Sequence, residues 1–190
     1  MTDAHLIRCV WTGDSPKAPP LDADTLRRIL HYDPTIGEFT WRARHDVRAA
    51  WNTRYAGRLA GFDWRAGPNV TYRSIRVFDW PRLAHRLAWL YMTGEWPLIV
   101  VDHIDRNGLN NAWSNLRAAT KSQNAANSSH PITNTTGFKG VSLCKIGKFR
   151  ATIRIDGRQK WLGRFSTAEE AARAYRDAAI EKSGEYAVFP

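Results

Sequence analysis

Asp102 and His103 stand side by side at the end of an apolar run. The stretch that contains them, VVDHIDRNGLNNAWSNLRAATKSQNAAN from Val100 to Asn127, is crowded with asparagine. Histidine is the side chain best suited to take a proton near neutral pH. A carboxylate from Asp102 and an amide oxygen from Asn124, 22 positions further on, would make a sparse, oxygen-only donor pair. Such a pair suits Mg2+ or Mn2+, with water and substrate oxygens completing the shell. Asparagine is a mediocre helix former, so Asn124 and Asn127 in a helical run are either solvated decoration or wanted for their side-chain oxygens. The plainer reading stands beside this one. Asp-His pairs occur by chance, Asn-rich loops are usually turns, and Asn107, Asn110 and Asn111 are assigned mostly to turn chemistry.

The elements that would hold these residues follow from the pattern. A strand is predicted from Leu98 to about His103, then an Asn/Gly-rich connection, a short extended segment at Asn115–Arg117, and a helix from Thr120. Thr120 and Gln123 fit a capping box and place the helix start. In an extended segment Asp102 and His103 would leave opposite sides of the strand, so both can meet one phosphate only where the backbone bends. Upstream, Leu83, Leu87, Leu90 and Tyr91 recur at helical spacing, with Pro81 suited to the first turn and Gly94 to the stop. His85 on that helix reads as structural or half-buried. Earlier still, Asp22 or Asp24 caps a short helix through His31, with Leu26, Ile29 and Leu30 facing inward. A turn over Asp33–Gly37 leads into a strand, Glu38–Arg42. Trp51 to Trp80 alternates aromatic and β-branched pieces with Gly and Pro and reads as small antiparallel strands.

The C-terminal third carries the clearest alternation. Phe149, Ala151, Ile153 and Ile155 interleave with Arg150, Thr152, Arg154 and Asp156, the period of a half-buried strand. An Asp156-Gly157 turn leads to a second strand, Arg158–Phe165, and Lys139–Leu143 supplies a first. Thr167 and Glu170 form another capping box. Behind it Ala168, Ala171, Ala172, Tyr175, Ala178 and Ala179 make a stripe of mostly small residues that lets a helix lie close against a sheet.

Charge narrows the partners. The 190 residues carry a net charge of +10 with a pI near 10.1, the balance of a protein that meets a polyanion. Within Lys139–Phe165 there are 8 basic residues against 1 acid, whereas residues 166–190 hold 3 against 5. The positive charge is therefore concentrated on one structural piece. No apolar run reaches membrane-spanning length, and the start lacks a signal-peptide pattern. Cys9 and Cys144 form no CxxC and cannot by themselves hold a structural zinc, which points to a reducing cytoplasm.

Two resemblances join this reading. Val101-Asp102-His103-Ile104-Asp105, Asn115-Leu116-Arg117 and Gln123-Asn124-Ala125-Ala126-Asn127, preceded by Ala84-His85-Arg86-Leu87-Ala88-Trp89, resemble the phage and intron-homing branch of the HNH endonucleases. The resemblance implies a ββα-metal module over roughly residues 82–128. In it His103 would be the general base that activates water, and Asp102 and Asn124 would hold one Mg2+ or Mn2+ ion. Asn115 would pin the loop and orient the histidine through backbone hydrogen bonds. Asn124 stands where many relatives have His, which implies a Mg2+-like rather than a zinc site. Gly137-Phe138-Lys139-Gly140-Val141, Gly147-Lys148-Phe149-Arg150-Ala151, Trp161-Leu162-Gly163-Arg164-Phe165 and Thr167-Ala168-Glu169-Glu170-Ala171-Ala172 resemble the APETALA/ethylene-response DNA-binding domain of plants. That resemblance covers about residues 137–190 and implies DNA contacts from Lys139, Arg154 and Trp161; Arg150 and Arg158 join them on charge alone. Ser142, Ile146 and Gln159 depart from the plant pattern, and with them the plant sequence preference.

The fold class expected is α+β. A loose arm (1–20) precedes a small β-rich region (21–80). The HNH module with its preceding helix (81–128) and a linker (129–136) follow. A three-stranded antiparallel sheet on one helix (137–190) ends the chain. The function expected is a metal-dependent DNA endonuclease and nickase that works as a monomer on double-stranded DNA, in the cytoplasm of a bacterial host and phage-encoded. The rival is a non-catalytic DNA-binding regulator with a degenerate HNH hairpin.

Overall fold

The computed structural model describes residues 20–68, 70–128, 134–144, 146–155, 157–187 and 189. All but the last residue of the expected arm, most of the linker, Lys145 and Asp156 of the predicted turn lie outside them. The chain is α+β, with small antiparallel sheets and five α-helices among the described residues. It divides into two compact units, Met1–Ala118 and Ala119–Pro190. No helix among the described residues is long and apolar enough to cross a membrane.

The first unit opens with α1 (Ala23–Ile29), whose N-terminus is capped by Asp22 accepting from the Thr25 amide at 2.6 Å. Ala23, Leu26 and Ile29 form its buried face. The helix stops two residues before the expected His31. From Leu30 the burial alternates with period two, and Leu30–Asp33 (β1) pairs with Glu38–Trp41 (β2) in a hairpin. Its turn is closed by the Gly37 amide on Asp33 O and by Asp33 Oδ1 on the Thr35 amide. Gly37 has φ 76°, and a Cβ there would collide with the Asn111 and Ala112 backbone. Only glycine allows the hairpin to back so closely onto that loop.

The interval expected to be strands throughout begins instead with a helix, α2 (Ala49–Tyr55), which has no buried residue. With no apolar face to bury it had no helical period to betray it. Asn52 holds it by clasping the Arg44 amide and carbonyl. The strands follow as β3 (Phe62–Gly67), β4 (Val70–Val77) and β5 (Trp80–Leu83), in that spatial order. Pro81 therefore lies in β5, opposite Arg76, and not in a first helical turn. β5 is an edge strand, where a missing N–H is tolerated. The next helix, α3 (Ala84–Thr93), starts three residues after Pro81 and stops at Gly94, in the left-handed conformation at φ 86°. Leu26, Leu30, Tyr32, Phe39, Ile75, Leu87 and Leu90 are nearly or wholly solvent-excluded and make one core with Val101 and Leu116. This core seats β6 (Val100–His103), two residues shorter than expected, since Leu98 is 98% exposed. β6 pairs with β7 (Leu116–Ala119), and Asn115 ends a 3-10 turn, Trp113–Asn115, just before it.

The second unit contains α4 (Lys121–Asn127), then β8 (Val141–Leu143), β9 (Phe149–Ile155), β10 (Arg158–Phe165) and α5 (Ala168–Ser183). The three strands form an antiparallel sheet with β9 in the middle. β8 begins at Val141, two residues after the expected Lys139. Both capping boxes are formed, Thr120 with Gln123 and Thr167 with Glu170. Ala171 and Ala179 of the small-residue stripe are buried, and Val141, Ala151 and Ala171 make a compact core beneath Phe149 and Phe165.

Candidate active site

Strand β6 ends in Asp102 and His103, 4% and 6% exposed. Arg117 of β7 donates through Nε to Asp102 Oδ2 at 3.0 Å, so a guanidinium from the paired strand fixes the carboxylate's orientation. His103 looks elsewhere. Its Nε2 lies 3.1 Å from Asn111 Oδ1, and Asn111 is itself 2% exposed. Asn111 Nδ2 donates to Leu109 O at 3.1 Å, which turns the amide oxygen toward the ring. His103 Nε2 must then be the N–H donor, and the lone pair sits on Nδ1.

Burial pushes the His103 imidazole below the ordinary histidine value, against the Asn111 hydrogen bond and the charges of Asp105 and Asp102, which pull it up. The ring is therefore a neutral base at neutral pH. A second imidazole stands edge-on to it: His85 of α3, 4.8 Å between ring centroids, with Tyr72 of β4 alongside both. His85 is buried, and desolvation, then the neighbouring His103 and Arg86, hold it well below the usual histidine range. Its Nδ1 has no hydrogen-bond partner among the described residues.

The loop between β6 and β7 is a network of amide and carboxylate hydrogen bonds. Asn115 O accepts from the Ile104 amide at 2.9 Å, and Asn115 Oδ1 accepts from the Asp105 amide at 3.0 Å. Asn115 Nδ2 donates to Asp105 Oδ1 and to Asn110 O. Asp105 also accepts from the Asn107 amide and from Asn110 Nδ2. Burial raises the Asp105 pKa, yet the hydrogen bonds from Asn110, Asn107 and Asn115 outweigh it and hold the carboxylate below its normal value. Asn107 and Asn110 do the turn chemistry expected of them. Asn111 does more, because it touches His103. The β1–β2 hairpin supports the same loop: Tyr32 Oη donates to Asn111 O at 2.7 Å, and the Trp113 amide donates to Pro34 O at 2.8 Å.

In the second unit, Asn124 is half-buried on α4 and Asn127, three residues on, is 2% exposed. Among the described residues no three His, Cys, Asp or Glu gather as a metal cage. The register of the C-terminal sheet sorts the basic residues by face. Arg150 stands opposite Arg164, Thr152 opposite Trp161, and Arg154 opposite Gln159, so all six share the face away from Ala151 and Ile153. Trp161 is 54% exposed, with the Arg164 guanidinium 5.8 Å from its ring centroid. Arg158 stands opposite Ile155 and belongs to the other face. Lys139 Nζ donates to the carbonyls of Ala125, Ala126 and Ser128.

Comparison with known proteins places these features. The HNH endonuclease family model matches residues 82–126. An uncharacterized HNH endonuclease of Acanthamoeba polyphaga mimivirus is 38% identical over 105 residues, 54% of this chain and 54% of its own length; the chain thus spans about half of that relative. Protein 3.8 of Escherichia phage T7 is 36% identical over 119 residues, 62% of this chain and 98% of its own. An AP2/ERF and B3 domain-containing transcription factor of Arabidopsis thaliana is 37% identical over 78 residues, 40% of this chain and 22% of its own, in a C-terminal region. No solved structure matches at a significant level. With the family model on the β6–β7 loop and its flanking helices, and a phage relative covered almost end to end, the chain belongs to the HNH endonuclease family.

Proposed function

We propose that the protein is a metal-dependent DNA endonuclease that cuts one strand at a time, with its C-terminal sheet holding it on duplex DNA. The observation that carries this reading is the state of His103: a neutral imidazole, its Nε2–H bonded to Asn111 and its lone pair on Nδ1, next to Asp102. Nδ1 takes the proton of the attacking water as that water meets phosphorus in line with the leaving oxygen. Asn111 Oδ1 then stabilises the imidazolium through Nε2–H, and Asn115 keeps the loop from shifting.

Asp102 and Asn124 offer hard oxygen donors, which fit Mg2+ or Mn2+ and not a thiolate- or imidazole-rich zinc cage. A divalent ion held by this pair would supply charge neutralisation at a non-bridging phosphate oxygen and at the departing 3′ oxygen. Arg117 keeps Asp102 oriented for that task.

On the C-terminal sheet, Arg150, Arg154 and Trp161 make the DNA face together with Arg164. A small sheet of this kind enters a major groove, where arginines contact guanine edges and phosphates. Arg158 stands on the other side and is left out of that face.

A second reading, a DNA-binding regulator that does not cut, is favoured by two features. His103 is only 6% exposed, and the Asp102 carboxylate already faces a guanidinium. Supercoiled plasmid separates the two. The nuclease reading predicts open-circular product with Mg2+ or Mn2+ and none with chelator. Binding without cutting, across metals and DNAs, would establish the regulator instead.

A further inference from the structure

We propose that Lys139 is a positioning residue for the candidate metal ligand Asn124: its ammonium clamps the C-terminal end of α4 and does not serve as a DNA contact. The inference rests on the nuclease reading for its consequence but on local geometry for its substance. α4 has seven residues, too few to hold a helical conformation in water without outside support. Its first turn is secured by the Thr120–Gln123 capping box. Its last turn presents carbonyls that the helix ladder leaves over, each carrying partial negative charge; of these Ala125 O also accepts from Ser128 Oγ at 2.7 Å.

Lys139 meets that end directly. Nζ donates to Ala125 O at 3.0 Å, Ala126 O at 2.7 Å and Ser128 O at 2.8 Å. An ammonium radiates three N–H groups from one atom and can satisfy three converging carbonyls; a planar guanidinium fork cannot. The backbone from which Lys139 projects is anchored on both sides. Phe138 O accepts from Asn134 Nδ2 at 2.6 Å, and Gly140 O accepts from the Thr152 amide of β9 at 2.9 Å. The turn that leads into the C-terminal sheet therefore grips the helix through one side chain. The Ser128 amide closes the last turn on Asn124 O at 3.1 Å, so fraying of that turn reaches the ligand residue itself.

The test uses the full chain with Lys139→Met and Lys139→Arg. Hydrogen exchange is read over residues 121–128, together with duplex-DNA affinity across salt concentrations and the Mn2+ concentration giving half-maximal nicking. The clamp predicts exchange roughly tenfold faster in the last turn of both variants. It also predicts a higher Mn2+ midpoint and unchanged DNA affinity and salt slope. A DNA contact predicts the reverse: unchanged exchange, a salt slope shallower by about 0.9 in the Met variant, and wild-type behaviour in the Arg variant. That outcome would overturn the proposal. The exchange measurement decides the clamp even if the wild-type protein cuts nothing, so failure of the nuclease reading is separately visible.

Discussion

Two imidazoles, His85 and His103, share one buried contact, and each is more easily protonated in the unfolded chain than in the folded one. Unfolding therefore takes up protons as pH falls, so the stability conferred by these neutral rings is complete above about 6.5, the ordinary histidine value, and is lost progressively below it. The melting temperature should be flat from neutral pH up to the tyrosine range, where the raised Tyr32 and Tyr175 phenols take over, and fall between pH 6.5 and the carboxylate range. His85→Phe, which keeps a ring but cannot titrate, should make that fall shallower; an unchanged profile would show that the buried pair does not govern it. At this scale the sequence was most legible where residue types are rare. Asp102, His103 and Asn115 stood out as candidates because carboxylate, imidazole and loop amide occur in a recognisable order, and the structure places the first two at the end of β6 and the third in the loop network. Asn111 was not, since it stands among turn-forming asparagines of the same composition. Only its burial against His103 separates it from Asn107 and Asn110.

Helices and strands set the precision of the site. The β1–β2 hairpin, to which the sequence assigned no function, buttresses the loop that carries Asn111 through Tyr32 Oη and through the close approach of Gly37. Gly37→Ala meets two penalties: a left-handed backbone and a Cβ that collides with Asn111 and Ala112. We expect a loss of at least about 1 kcal/mol in stability and a nicking rate that falls by a larger factor than DNA affinity does. Chemical denaturation and single-turnover cutting measure the two; wild-type cutting in a destabilised variant would detach the hairpin from the active site. Elements with a buried stripe or a capping box could be read ahead of the structure, as in α1, α4, α5 and the strands β9 and β10. Those without one could not: α2 buries nothing, and Pro81 fits a helix start as well as the edge strand it occupies. Tertiary pairing, which the sequence does not display, decided between them.

For the whole molecule the net charge of +10 matters through where it falls. The sheet register divides the C-terminal arginines into two faces, a distinction invisible to a count of basic residues. Replacing Arg150, Arg154 and Arg164 by Gln should make the salt dependence of DNA binding less steep by roughly 2–3. Arg158→Gln, on the opposite face, should change it far less. Equal effects from all four would mean that diffuse charge, and not a face, binds the DNA. The proposed cutting depends on one side chain taking a proton. The decisive measurement is cutting of supercoiled plasmid by wild type and His103→Ala in Mg2+ or Mn2+, with DNA binding measured on the same samples. The account predicts that the substitution abolishes cutting while affinity is retained; undiminished cutting by His103→Ala would contradict it.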